Sequence, residues 1–104
     1  MAMTKMTESE ITESLKQVPE WSEINGAIQR TFQFKDFVES MRFVNQVAEA
    51  AERTQHHPDI LVRWNKVTLT VNTHDAGGIT AKDFDLARQA DSMIPPPKPR
   101  RAKA

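Results

Sequence analysis

The chain has 104 residues, enough for one domain with a small core, and a small core makes oligomerisation a fair expectation. Its 38% hydrophobic and 27% charged residues suit a soluble globule, and the absence of cysteine excludes a disulfide framework and thiolate chemistry. No apolar run approaches membrane-spanning length, and Met1 to Met6 lacks the apolar centre of a secretory signal, so a cytoplasmic protein with no membrane partner is expected.

A net charge of zero hides an asymmetry. Of the 14 basic residues, Lys98, Arg100, Arg101 and Lys103 fall in the last seven positions, so the rest of the chain is acidic. Residues 1–94 read as one domain. Residues 95–104 read as a disordered, basic, proline-led tail. Such a tail can touch nucleic acid or an acidic surface, but a solvated end is the preferred reading and no nucleic-acid partner is expected.

The chain order begins with a short helix over 7–18. Thr7 and Glu10 form a capping box, Met6 and Ile11 fit a hydrophobic staple, and Ile11, Leu15 and Val18 repeat at helical spacing. Pro19 stops it. Trp21 to Ile24 and Ala27 to Phe34 make a hairpin across Asn25-Gly26, a strong turn dipeptide. In its second arm Ile28, Arg30, Phe32 and Phe34 share one face.

The longest helix is predicted from Phe37 to Thr54, with Asp36 as cap and Glu39 completing a box. Phe37, Met41, Val44, Ala48 and Ala51 form its main stripe, widened by Phe43, Val47 and Ala50. A face this broad can cover a sheet and leave surface for a partner subunit. Pro58 disfavours helical geometry at His57, so the helix must end at or before the two histidines.

Asp59 to Asn72 reads as a second hairpin, with Asn65-Lys66 as the turn. Val67, Leu69 and Val71 alternate with Thr68, Thr70 and Asn72. His74 to Gly78 is a loop. A last helix starts at Thr80, with Asp83 as the box residue and Ile79 and Phe84 as a staple. Pro95-Pro96-Pro97 ends the ordered structure, in extended polyproline form.

The junction Glu52 to Pro58 concentrates the chemistry. His56 and His57 stand side by side there, and His74 lies at the far end of the second hairpin. Imidazoles are the side chains that exchange protons near neutral pH. The arms of that hairpin are nearly equal, so the chain returns to the level of His57 and Pro58, and His74 is expected near the pair. Glu52, one turn before His56, falls on its side of the helix. Two readings stay open at this point. The histidines are either a cationic helix end or part of a site, and Asp83 is either a cap residue or the carboxylate that orients an imidazole. Trp21 and Trp64 read more readily as core or interface aromatics than as ligand platforms. Without a His-Glu-x-x-His helix or compact ligand spacing, no metal is expected. Gly77-Gly78 lacks the basic residue of a phosphate loop.

The joint spacing of Glu52, His56-His57-Pro58, Trp64, His74 and Asp83 resembles the signature of the pterin-4a-carbinolamine dehydratases. Trp21, Phe32-x-Phe34-Lys35-Asp36-Phe37, Asn65-Lys66-Val67 and Thr73-His74-Asp75 followed by Gly78 extend the likeness over about residues 18–91. The resemblance implies an α+β fold, a four-stranded antiparallel sheet of two hairpins with three helices packed on one face. The elements read above agree with that. It also implies a homodimer or homotetramer and no cofactor. The implied activity is dehydration of 4a-hydroxytetrahydropterin to quinonoid dihydropterin, which would link the protein to an aromatic amino-acid hydroxylase pathway.

On this reading His56, His57 and His74 are catalytic. His56 and His74 are the expected acid and base, and His57 mainly holds the pterin. Trp21 walls the pocket, Pro58 supports it, and Glu52 and Asp83 set histidine orientation and charge. Relatives with the same fold serve as a dimerisation cofactor of a homeodomain transcription factor or as assembly chaperones of a carbon-fixing enzyme, and the chaperones tend to lose the histidines. A non-catalytic oligomeric binding module is therefore the alternative, and retention of all three histidines favours the enzyme.

Overall fold

The computed structural model describes residues 4–94, so the expectations for the tail beyond Ile94 lie outside the described residues. Three helices and four strands alternate as α1 (Glu8–Leu15), β1 (Ser22–Ile24), β2 (Ala27–Gln33), α2 (Phe37–Thr54), β3 (Asp59–Arg63), β4 (Lys66–Val71) and α3 (Ala81–Ser92). A 3-10 turn, His74–Ala76, lies between β4 and α3. The strands form one antiparallel sheet in the order β1-β2-β4-β3.

Local chemistry sets the boundaries. The capping boxes at Thr7/Glu10 and Thr80/Asp83 are both closed. Helix α1 ends at Leu15, short of the expected Val18. The chain runs on in tighter turns, Gln17 N–H to the Ser14 carbonyl and Val18 N–H to that of Leu15. Asp36 caps α2 by accepting from the Glu39 amide at 2.9 Å, but Glu39 reaches back to the Lys35 N–H at 3.4 Å rather than closing a box with Asp36 itself.

The β1–β2 turn carries positive φ at Asn25 (49°) and Gly26 (78°), the geometry of a two-residue hairpin turn matched to strand twist. The second hairpin turns at Trp64-Asn65, one residue earlier than expected, because Arg63 pairs with Lys66. Asn65 is clasped to the end of β2. Its side chain donates to the Phe34 carbonyl at 3.0 Å, and Phe34 N–H donates to the Asn65 carbonyl at 2.8 Å. Trp64 takes the left-handed position (φ 51°) and stands exposed.

One face of the sheet is apolar and one polar. Ile28, Phe32, Val67, Leu69 and Val71 are buried under the helices. On the other face Gln29 bonds Thr70 at 2.9 Å, and Thr31 lies 2.7 Å from Thr68. The helix side of the core is Phe43, Val47 and Ala50 of α2 with Phe84, Leu86, Ala87 and Ala90 of α3. The stripe of α2 is therefore centred differently than expected. Phe37, named as its first member, is 51% exposed, and Ala48 is exposed as well. The flanking set Phe43, Val47 and Ala50 is the one that faces the sheet, because it turns both bulky side chains inward together. Phe32 anchors the centre, 4.5 Å from the Phe43 ring and edge-on to Trp21 at 6.1 Å.

Candidate active site at the α2–β3 junction

Helix α2 ends on Gln55, which adopts φ 55° and ψ 42°. Its N–H reaches the Glu52 carbonyl at 3.4 Å, while His56 N–H reaches the Ala51 carbonyl at 3.0 Å. These two bonds close the helix in a Schellman pattern, with glutamine where glycine is usual. The left-handed residue swings the chain off the helix axis, so His56 and His57 leave in new directions. Pro58 then fixes an extended path into β3.

The two histidines meet different partners. His56 is half-buried, and its Nε2 lies 2.5 Å from Oδ1 of Asp83, a carboxylate with no exposed surface. His57 is exposed, and its Nε2 lies 2.7 Å from Oε2 of Glu52. Glu52 was expected on the side of His56. It pairs with His57 instead, because the four-residue helical spacing ceases to apply once Gln55 turns the chain. With 56% and 75% of the side chains exposed, the Glu52–His57 pair contributes at most about 1 kcal/mol.

Asp83 plays both of the parts considered for it. As the third residue of α3 its Oδ2 accepts from Thr80 N–H at 2.8 Å, closing the capping box. The same oxygen accepts from the Thr73 hydroxyl at 3.0 Å, and the other oxygen meets His56. A buried carboxylate is tolerable only with such partners. Among the described residues no buried side-chain nitrogen or oxygen lacks one.

Strand register explains why Thr73 arrives here. Asp59 of β3 pairs with Thr70 of β4. Continuing that register by three residues puts Thr73 level with His56. Sequence reasoning overlooked Thr73 as a contributor. The signal was present, since Thr73 continues the inward series Val67, Leu69, Val71 with a polar residue.

His74 follows directly, exposed at the head of the 3-10 turn that Ala76 N–H closes onto the Thr73 carbonyl at 3.0 Å. It is thus one residue from the Asp83 network. The three histidines do not draw together into a metal cage. Among the described residues no group of three or more His, Asp or Glu side chains is placed to hold a metal ion.

Trp21 takes the core position that its residue type suggested. It is 3% exposed in the core, and its indole N–H donates to Asp91 at 2.9 Å. The same Asp91 oxygen accepts from Arg30 at 2.7 Å, and Arg30 lies 4.2 Å above the Phe32 ring. This buried-edge cluster ties β2 to the end of α3.

His56 borders a small open cavity of about 120 Å³ with Thr54, Lys82, Asp85, Leu86 and Gln89. A larger opening of about 490 Å³ lies at the Trp64-Asn65 turn, at the other end of the hairpin from Pro58, and holds none of the histidines. Among the described residues no helix is long and apolar enough to cross a membrane.

A protein of Picosynechococcus sp. named "Putative pterin-4-alpha-carbinolamine dehydratase" is 52% identical over 90 residues, covering 86% of this chain and 98% of its own. A Gloeobacter violaceus protein with the same name, numbered 2, is 52% identical over 89 residues, covering 82% and 97%. The crystal structure of a transcriptional coactivator/pterin dehydratase from Brucella melitensis superposes with a TM-score of 0.85 at 35% identity, over 88% of this chain and all of that one. A pterin dehydratase-like RuBisCO assembly factor of the alpha-carboxysome, 19% identical with a TM-score of 0.58 over 70% of this chain and 84% of its own, shares the fold. The model of the pterin 4 alpha carbinolamine dehydratase family matches residues 4–93, which includes every histidine, Glu52 and Asp83. With its sheet, its paired histidines and this match along nearly all of the described residues, the chain belongs to the pterin 4 alpha carbinolamine dehydratase family.

Proposed function

We propose that the protein dehydrates 4a-hydroxytetrahydropterin to quinonoid dihydropterin and water by histidine acid–base catalysis. The observation that carries this reading is the pairing of His56 with the buried carboxylate of Asp83 at the mouth of a cavity. Carbinolamine dehydration needs no redox change. The C4a–O bond breaks, the leaving oxygen takes a proton, and N5 gives one up as the C4a–N5 double bond forms. Two imidazoles on opposite sides of the ring meet that requirement. His56 and His74 are assigned as acid and base, with His57, braced by Glu52, holding the pterin by hydrogen bonds. Asp83 orients His56, and Pro58 fixes the path by which the histidines leave the helix.

The product returns to the tetrahydropterin pool, so an aromatic amino-acid hydroxylase is the class of enzyme that would supply the substrate. The chain is inferred to act as a homodimer or homotetramer in the cytoplasm. The exposed Ile60 and Leu61 on the edge strand β3 support self-association.

The test is spectrophotometric. Protein is mixed with freshly generated 4a-hydroxytetrahydropterin, and quinonoid dihydropterin is followed by absorbance. Acceleration over the spontaneous reaction is expected, with a loss of about 10²–10⁴-fold in the His56→Ala, His57→Ala double variant. A folded protein that gives no acceleration overturns the proposal and leaves the binding-module reading in its place.

A further inference from the structure

The hydrogen bonds around Asp83 have a direction, and the direction fixes which nitrogen of His56 can work. Asp83 Oδ2 accepts from Thr80 N–H at 2.8 Å and from the Thr73 hydroxyl at 3.0 Å. Thr73 Oγ1 also lies 2.6 Å from Thr80 Oγ1. Each hydroxyl has one proton, and a carboxylate accepts without donating. The proton of Thr73 goes to Asp83, so Thr80 donates between the two hydroxyls. Thr80 Oγ1 in turn accepts from the Lys82 backbone N–H at 3.2 Å. The order is Lys82 N–H to Thr80, Thr80 to Thr73, and Thr73 to Asp83, with no step able to reverse. Thr80 and Asp83 have no exposed surface and Thr73 is 8% exposed, so water does not compete for these bonds.

The remaining oxygen, Oδ1, faces His56 Nε2 at 2.5 Å. It too can only accept, so Nε2 carries the hydrogen. A neutral imidazole has one N–H, which leaves the lone pair on Nδ1.

We propose that Thr73 and Thr80 are positioning residues, forming a one-way hydrogen-bond chain through Asp83 that holds His56 protonated at Nε2 and makes Nδ1 the nitrogen that exchanges a proton with the substrate. For the dehydration Nδ1 first takes a proton from solvent, and the resulting imidazolium gives that Nδ1 proton to the leaving oxygen, which departs as water while a second base takes the proton from N5. The Nε2 hydrogen stays on Nε2 throughout, donated to Asp83 Oδ1. Thr73 is also the residue before His74, and its N–H is tied to the Gly78 carbonyl at 2.8 Å. One side chain therefore orients His56 while its own backbone carries His74. Lys82 and Asp85 from α3 border the same cavity, and Glu52 is engaged with His57.

The meaning given to Nδ1 rests on the dehydratase reading, but the tautomer can be measured without turnover. Nitrogen-15 spectra at alkaline pH identify the protonated ring nitrogen of each histidine, with His57→Ala and His74→Ala used for assignment. His56 is expected as the Nε2–H form in the wild type and in Thr73→Ser. Thr73→Val is expected to keep the Nε2–H form but to shift the Nε2 resonance, as the less firmly held Asp83 makes a weaker bond to it, and to give a roughly ten-fold lower kcat at little changed KM. A wild-type His56 in the Nδ1–H form overturns the proposal, as does a Thr73→Val spectrum identical to wild type or a Thr73→Ser variant that behaves like valine. If Thr73→Val does not fold, the wild-type and serine spectra still decide the tautomer. An Nε2–H His56 in a protein without dehydratase activity upholds the chain and sinks the dehydratase reading alone.

Discussion

At the scale of single residues, Asp83 carries two duties with one carboxylate. It caps α3 through Thr80 N–H and holds His56 through its other oxygen. An amide cannot serve both. In Asp83→Asn one position would present N–H to a neighbour that also donates. Leaving a buried donor unpaired costs about 1–3 kcal/mol, and a domain this small loses roughly 4–8 °C in Tm per kcal/mol. Thermal unfolding should show that drop. In parallel, kcat should fall by about 10²–10⁴-fold, because His56 loses the acceptor that sets its tautomer. A variant of unchanged Tm and kcat would mean that Asp83 matters to neither. His57 and Glu52 contrast with this pair. Their contact is on the surface, and stability should hardly depend on it.

At the scale of elements, the site depends on how α2 ends. Gln55 is a non-glycine residue in the left-handed region, steadied by its side-chain amide, which donates to the Glu52 carbonyl at 2.8 Å. A β-branched residue there would meet its own backbone. Gln55→Val should destabilise by about 1–2 kcal/mol, read by denaturant or thermal unfolding, and should weaken turnover by displacing His56. Equal stability to wild type would contradict the role given to this turn.

Much of this architecture was legible in the sequence because it is locally encoded. Capping boxes, Asn25-Gly26 and the alternation of β4 involve residues within a few positions of each other. The errors arose where tertiary contacts decide. Asn65, clasped by Phe34, moved the second turn back by one residue. Docking on the sheet chose Phe43, Val47 and Ala50 over the stripe begun by Phe37. Glu52 changed partner because a left-handed glutamine carries no sequence signature of its own.

At the scale of the whole molecule, the sheet brings together residues far apart in the chain. The antiparallel return of β3 onto β4 sets Thr73 level with His56, and α3 packs behind them to deliver Asp83. His56 at the helix end and Thr73 after β4 therefore meet on one carboxylate. The return of the second hairpin to the level at which it left was foreseeable from its nearly equal arms. The buried link through Thr73 was not, since it needs register and burial together.

The most direct measurement is the steady-state dehydration rate of three single variants, His56→Ala, His57→Ala and His74→Ala, beside wild type. Catalysis by these histidines predicts that His56→Ala and His74→Ala each lose about 10²-fold or more in kcat, while His57→Ala mainly raises KM. Undiminished turnover in folded His56→Ala or His74→Ala would contradict it.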